Sequence, residues 1–246
     1  MSGTAADYSR PLAIDLFAGL HGWAEGLVVE GWRVVGFDIE NMCAQFGVVR
    51  PKHVQLVLQD VLTLHGSQFK DAALIVASPP CQEFSYMAMP WTRAKEKAKR
   101  YRDGTDDPKR LTALFDACFR IQREACEAAG HHIPLVVENV CGAQKWVGRA
   151  RWHGGSLYLW GDVPLFMPVI RHVKMPGLDW NRFNNSDPLY RGEAFNTLRT
   201  SNKRRSAALS AKIPLELART IARAWHPAQV AVLDTAAAVR ALGRQA

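Results

Sequence analysis

Residues 12–23 read LAIDLFAGLHGW, and the architecture of the chain follows from this stretch. Leu12 to Phe17 is a short apolar run of the kind that fills a strand buried on both faces. Ala18 to Gly22 carries two glycines, Gly19 and Gly22, which suit a tight turn. Trp23 to Glu30 then has the composition of a helix, closed by Gly31. Strand, glycine turn and helix in that order make the opening unit of a doubly wound sheet.

The same grammar continues outward. Arg33 to Ile39 predicts a second strand, rich in valine and ending on Asp38. Val54 to Val61 predicts a third, ending near Asp60. Ala72 to Ala77 predicts a fourth, stopped by Ser78-Pro79-Pro80, and Leu135 to Val140 a fifth. Near-continuous apolar strands separated by helix-sized gaps imply an α/β fold, with a mostly parallel sheet and helices on both faces. Between the fourth and fifth strands, Trp91 to Arg110 is polar and strongly basic, and it reads as a mobile surface loop, in part helical. Asp107-Pro108 supplies an N-cap and a first-turn proline for a helix running to Ala129 and ending at Gly130. Trp146 to Gly161 is rich in Gly, Arg and Trp. Pro176 to Ser206 has few apolar residues and several turn formers. A helical pattern returns from Leu209, with Leu215, Leu217, Ala218, Ile221, Ala222 and Trp225. Pro227 interrupts it, and Val230 to Leu242 suits a last helix.

Composition bounds the function. The chain has 246 residues, 48% hydrophobic and 22% charged, enough for one large α/β domain or a catalytic domain with a small insert. No apolar run approaches the ~20 residues that cross a bilayer, and Met1 to Arg10 has no apolar signal core. A soluble cytoplasmic protein with no membrane partner is therefore expected. The 5 cysteines are odd in number and form no CxxC pair, which argues against a disulfide framework or a metal site. A net charge of +8 favours a polyanionic partner.

The reactive residues fall where strands end, the place where parallel sheets hold ligands. Asp38 lies roughly 20 residues beyond the glycine turn, a position that suits a ribose diol. The turn lacks a GxGxxG phosphate fingerprint, so a nucleoside cofactor without a pyrophosphate, such as S-adenosylmethionine, fits better than a dinucleotide. A dehydrogenase is disfavoured for the same reason. In Ser78-Pro79-Pro80-Cys81-Gln82-Glu83-Phe84-Ser85, two prolines stiffen the approach to a cysteine at a loop start. An exposed cysteine near basic groups has its thiolate favoured. Glu138, on a neighbouring strand end, is placed to act as a hydrogen-bonding acid.

These residues resemble the cytosine-C5 DNA methyltransferase family. Asp15-Leu16-Phe17-Ala18-Gly19-Leu20-His21-Gly22-Trp23 is similar to its first cofactor motif. Pro80-Cys81-Gln82, followed by Phe84-Ser85, matches its nucleophile motif, and Glu138-Asn139-Val140 its base-contacting motif. Arg149-Ala150-Arg151 resembles its paired-arginine motif, and Ser210 to Ala222 its last motif. Three departures stand out: His21 replaces a usual glycine, Ser210-Ala211 stand where Gly-Asn is usual, and the paired arginines lack the usual glutamine at the expected distance before them. The region that reads DNA is also much shorter than usual, as in a small, phage-like member.

The resemblance implies a Rossmann-like S-adenosylmethionine-dependent methyltransferase fold formed by residues 1–175 and 207–246, with residues 176–206 as a small basic target-recognition insert. It implies double-stranded DNA as the partner of a monomer. Cys81 would attack C6 of a flipped-out cytosine, Glu138 would act at N3, and Arg151 with Arg149 would hold the base and orient Glu138. Phe17, Gly19, Leu20 and Gly22 would line the cofactor pocket. Asp38 would take the ribose, Ile39 the adenine face and Asp60, beside Val61, the adenine amine. Ser78 and Pro80 would border the methionine portion. The basic segment Trp91 to Arg110 would close over the base. An RNA (tRNA) cytosine-C5 methyltransferase and a non-catalytic nucleic-acid-binding relative are the alternatives.

Overall fold

The computed structural model describes residues 9–82, 84, 91–169, 208–209 and 211–232. The expected insert, residues 176–206, lies outside them, as do Ser85 and most of the expected last helix. The apolar runs form β1 (Leu12–Leu16), β2 (Arg33–Asp38), β3 (Val54–Leu58), β4 (Leu74–Ala77) and β5 (Leu135–Asn139). Two further strands, β6 (Trp152–Gly154) and β7 (Leu157–Gly161), complete a seven-stranded sheet in the order β3-β2-β1-β4-β5-β7-β6. β1 pairs in parallel with β2 and β4, β2 with β3, and β4 with β5. β7 runs antiparallel to both β5 and β6. The strand order reverses at β1, between β2 and β4, which opens the crevice where such sheets bind ligands.

Helices bounded within the described residues accompany the sheet: α1 (Gly22–Val29), α2 (Met42–Phe46), α3 (Trp91–Arg102), α4 (Pro108–Ala129), α5 (Gln144–Val147) and α6 (Leu215–Ala224). α4 begins as its sequence dictates. The Asp107 carboxyl accepts from the Lys109 amide, Pro108 occupies the first turn, and Gly130 closes the helix in the left-handed region. Its stripe Leu111, Phe115, Cys118, Ile121 and Ala125 packs on one face of the sheet with Ile14, Ile75 and Val137. The other face is covered by Trp23, Ala24 and Leu27 of α1 and by Leu217, Ala218, Ile221 and Ala222 of α6.

Three expectations need correction. The segment expected as a mobile surface loop, in part helical, is helical along most of its length, over Trp91–Arg102. It reads WTRAKEKAKRYR, which is almost wholly strong helix formers, so propensity builds a helix with no apolar stripe. The third strand stops at Leu58 and not at Val61, because the Asp60 carboxyl caps a 3₁₀ turn at Val61–Thr63 by accepting from the Leu62 amide, 2.9 Å. The late helix begins at Leu215, with Pro214 at its N-cap.

α1 and α6 lie close because glycine lets them. A Cβ on Gly22 would meet the Ile213 amide at 2.6 Å, and one on Gly26 the Arg219 amide at 2.6 Å. Lys212 pairs with Glu25, and Arg219 with Glu30. Trp32 Nε1 donates to the Ala222 carbonyl, 3.2 Å.

Candidate active site

The loop after β1 is wound by three residues in the left-handed region, Phe17 (φ 62°), Gly19 (φ 51°) and His21 (φ 59°). Only the glycine is at ease there. The loop is tied down at both ends. Gly19 N–H donates to Asp38 Oδ2, 2.8 Å, and His21 N–H to the Ala18 carbonyl, 2.7 Å. His21 thus keeps the backbone shape that a glycine would take. Its ring is fully buried, and burial, reinforced by the positive charges of Arg50 and Lys212, pushes it down to about 4. It is therefore uncharged at neutral pH. Leu20 and Gly22 are buried, and Phe17 is half-buried against the core.

Asp38 ends β2 and accepts a second backbone bond from Glu40 N–H on Oδ1, 3.2 Å. Each carboxylate oxygen has two acceptor sites, so both retain one for a ligand hydroxyl. Ile39 follows with 70% of its surface exposed, an apolar platform at the strand end. Asp60 is exposed and keeps Oδ2 free of its own turn, while Val61 beside it is buried. Asp15, just upstream of the turn, is fully buried, and neither of its carboxyl oxygens has a hydrogen-bond partner among the described residues. Burial, then the nearby Asp38 charge, holds it protonated well above the usual range. A glycine turn, carboxylates at two neighbouring strand ends, an apolar platform and an unsatisfied acid fit a nucleoside bearing an amino-acid tail.

The second half of the site lies at the ends of β4 and β5. Ala77 pairs with Val137, so Ser78 and Glu138 follow as neighbours. The buried Asn139 side chain fastens the two strand ends: its Nδ2 donates to the Pro79 carbonyl, 2.9 Å, and its Oδ1 accepts from Val140 N–H, 2.9 Å. Phe84, buried in the core, anchors the far side of the cysteine loop, and its amide donates to the Cys81 carbonyl, 2.9 Å. Pro80 is exposed and Cys81 half-buried.

Cys81 and Glu138 are close enough to influence each other's charge. Burial pushes the Cys81 thiol up, and the Glu138 charge adds to that. This corrects the expectation of a favoured thiolate: no basic group among the described residues acts on the sulfur, and a carboxyl does. Glu138 keeps part of its surface open, but its carboxyl is desolvated, which lifts it to about 7 against the pull of a hydrogen bond from Ser78. Half of it is then protonated near neutrality, the state a general acid needs.

Arg149 and Arg151 are exposed, and no described contact joins either side chain to Glu138 or Cys81. Arg151 enters the sheet through its amide, which donates to the Leu159 carbonyl, 2.8 Å, and Leu159 in turn pairs with Glu138. A whole strand therefore separates Arg151 from Glu138. Two contributors escaped the sequence reading as site residues: Asn139, quoted only within its motif, and Gln144, whose Oε1 accepts from Ala150 N–H, 3.2 Å, beside the arginines. The Glu138-Asn139-Val140 motif was the signal for Asn139, whereas the bond from Ala150 to Gln144 shows only in the fold.

A family model, C-5 cytosine-specific DNA methylase, matches residues 12–142. The chain belongs to that family. No curated protein matches it. Among solved structures, similarity extends to one described as a DNA modification methyltransferase encoded within an E. coli prophage, 22% identical with a TM-score of 0.37. The match covers 56% of this chain and 35% of that one. The Dnmt2 methyltransferase of S. pombe matches at 17% identity and a TM-score of 0.35, over 56% of this chain and 37% of that one. The methyltransferase EhMeth of Entamoeba histolytica matches at 15% identity and a TM-score of 0.35, over 56% and 41%. The chain spans well under half the length of these structures.

Proposed function

We propose that the protein transfers a methyl group from S-adenosylmethionine to C5 of cytosine in double-stranded DNA. The observation that carries the reading is the meeting of Cys81 and Glu138 at adjacent strand ends, fastened by Asn139, beside the glycine turn. Membership of the C-5 cytosine-specific DNA methylase family supports the choice of ring atom and of DNA.

Cytosine C5 is a poor nucleophile, and attack at C6 makes it an enamine-like one. Cys81 passes its thiol proton to the Glu138 carboxylate, and its sulfur bonds to C6 as the C5–C6 double bond opens toward C5. Glu138 in its acid form hydrogen-bonds N3 and holds the charge that develops there, and its other contact is the exocyclic amine. The bound cofactor supplies the electrophilic methyl group. After C5 is methylated, its proton passes to solvent water, the Cys81–C6 bond breaks to release the thiolate as the ring double bond re-forms, and Glu138 returns the thiol proton to Cys81. The target is hidden in a duplex, so the base must be flipped into the cleft. Asp38 takes the ribose hydroxyls, Ile39 packs on adenine, Asp60 accepts from its amine with Val61 beside it, and the backbone of Phe17, Gly19, Leu20 and Gly22 follows the amino-acid tail. Ser78 and Pro80 border that tail. Arg149 and Arg151 contact the flipped nucleotide from its outer side.

Residues 176–206 act as the target-recognition insert in this reading. With six basic residues in about 30, its easiest task is phosphate contact, so a short or relaxed recognition sequence is expected. The test is transfer of radiolabelled methyl to duplex DNA and, in parallel, to tRNA. Cys81→Ser should abolish transfer while calorimetry shows cofactor binding retained. Transfer to tRNA alone, or near-normal turnover by the serine variant, would overturn the reading.

A further inference from the structure

Trp23, Ser78 and Glu138 meet on the face of the sheet covered by α1 and α6. Trp23 Nε1 lies 2.9 Å from Ser78 Oγ. An indole N–H only donates. The Ser78 oxygen therefore accepts from it, and the hydroxyl keeps its own proton to give. Ala77 and Val137 are register partners in a parallel pair, so Ser78 and Glu138 stand side by side on the same face one residue further on. That adjacency sets the Ser78 hydroxyl beside the Glu138 carboxyl, whose charged form it favours. Trp23 is almost fully buried, which fixes the direction of its N–H.

We propose that Ser78 is a positioning residue for Glu138: its hydroxyl, aimed by the Trp23 indole, engages one carboxyl oxygen and leaves the other to carry the acidic proton toward the base. The inference rests on the reading of Glu138 as the acid of cytosine methylation. It links the helix that follows the glycine turn to the acid on β5 through two hydrogen bonds, so the cofactor half of the cleft sets the geometry of the base half.

The groups around Glu138 are few. The register neighbour on β7 is Leu159, which is apolar. α1 presents Trp23, and the loop after β4 presents the Cys81 thiol, the titratable group that faces Glu138 among the described residues. The nearest acid on β1 is Asp15, one strand beyond Ser78. Against this background the Ser78 hydroxyl is what favours the ionised carboxylate, in opposition to burial.

The experiment uses the full chain, with glutamate labelled at the side-chain carboxyl by carbon-13. Glu138 is titrated by NMR and assigned with Glu138→Gln, and kcat and KM are measured for methyl transfer to duplex DNA. Ser78→Ala should raise the Glu138 pKa above that of the unsubstituted protein and lower kcat about tenfold or more, with little change in KM for DNA. Trp23→Phe keeps the ring and loses the N–H, so it should move both quantities the same way by less. Ser78→Thr retains the hydroxyl and should restore both. An unchanged titration in Ser78→Ala, or a threonine variant as impaired as the alanine one, would overturn the positioning role. Full activity in Glu138→Gln would overturn the catalytic reading instead, and that result is independent of the titration.

Discussion

At the scale of single residues, Cys81 and Glu138 carry their protons in the opposite order to the one the proposed reaction needs. The free protein ionises Glu138 at about 7, before the thiol, whose own value is pushed up. Productive attack requires the thiolate beside the protonated acid, a minor arrangement of the singly protonated pair. Its population rises as the first proton leaves and falls as the second does. The kcat/KM profile is therefore expected to climb through about pH 7 and hold until the thiol titrates. In Glu138→Gln the limb near 7 should vanish, and the residual rate should climb with the thiolate alone. A retained limb would assign it to another group. Asp15 makes a separate prediction. Its folded pKa is raised, so the native state holds a proton that the unfolded chain releases above about pH 4. Stability contributed by this group is present at low pH and is lost as pH rises toward the folded value. Asp15→Asn should gain stability over the unsubstituted protein at pH 7 relative to pH 4, read by urea unfolding at both. Of these residues, Asp38, Cys81 and Glu138 could be found in the sequence because each follows a strand-like run. The pairing of Trp23 with Ser78 could not, since 55 residues separate them and only the sheet brings them together.

At the scale of elements, legibility followed burial. β1, β2, β4 and β5 are apolar on both faces and read directly as strands. β6 and β7 lie at the sheet edge with mixed residues such as Trp152, His153 and Tyr158, and nothing in their spacing marks a strand. α3 was legible only in part, for the opposite reason. Its helix comes from propensity, and its tie to the core is Tyr101, which packs edge-on against Trp146 at 5.4 Å. That contact hangs the basic helix on the segment that follows Glu138 and Asn139. The most exacting packing is between α1 and α6. A side chain at Gly26 would strike the α6 backbone at Ala218 and Arg219, which cannot yield as a flexible side chain would. Gly26→Val should cost about 1–3 kcal/mol of stability, measured by denaturant unfolding, despite the better helix propensity of valine. A neutral or stabilising result would mean that α6 shifts freely.

For the whole molecule, charge and chain order matter most. A net charge of +8 on 246 residues predicts DNA affinity that falls steeply with salt. Lys203→Ala combined with Arg204→Ala should lower the slope of log affinity against log salt by about 2, measured by anisotropy titration at several salt concentrations. An unchanged slope would place the phosphate contacts elsewhere. The docking of α6 on α1 has a consequence for how the protein is made. Trp32 finds its acceptor on Ala222, 190 residues later, and Trp23, Ala24 and Leu27 share their cover with Leu217 and Ile221. At ~5–20 residues per second, a ribosome takes roughly ten to forty seconds to span that distance. Throughout that time the apolar side of the first helix has emerged without its lid. Chains released before residue 208 never acquire one and are expected in the insoluble fraction, where chains completed past Ala224 are not. Nascent chains still attached to the ribosome should be the form most heavily occupied by chaperones.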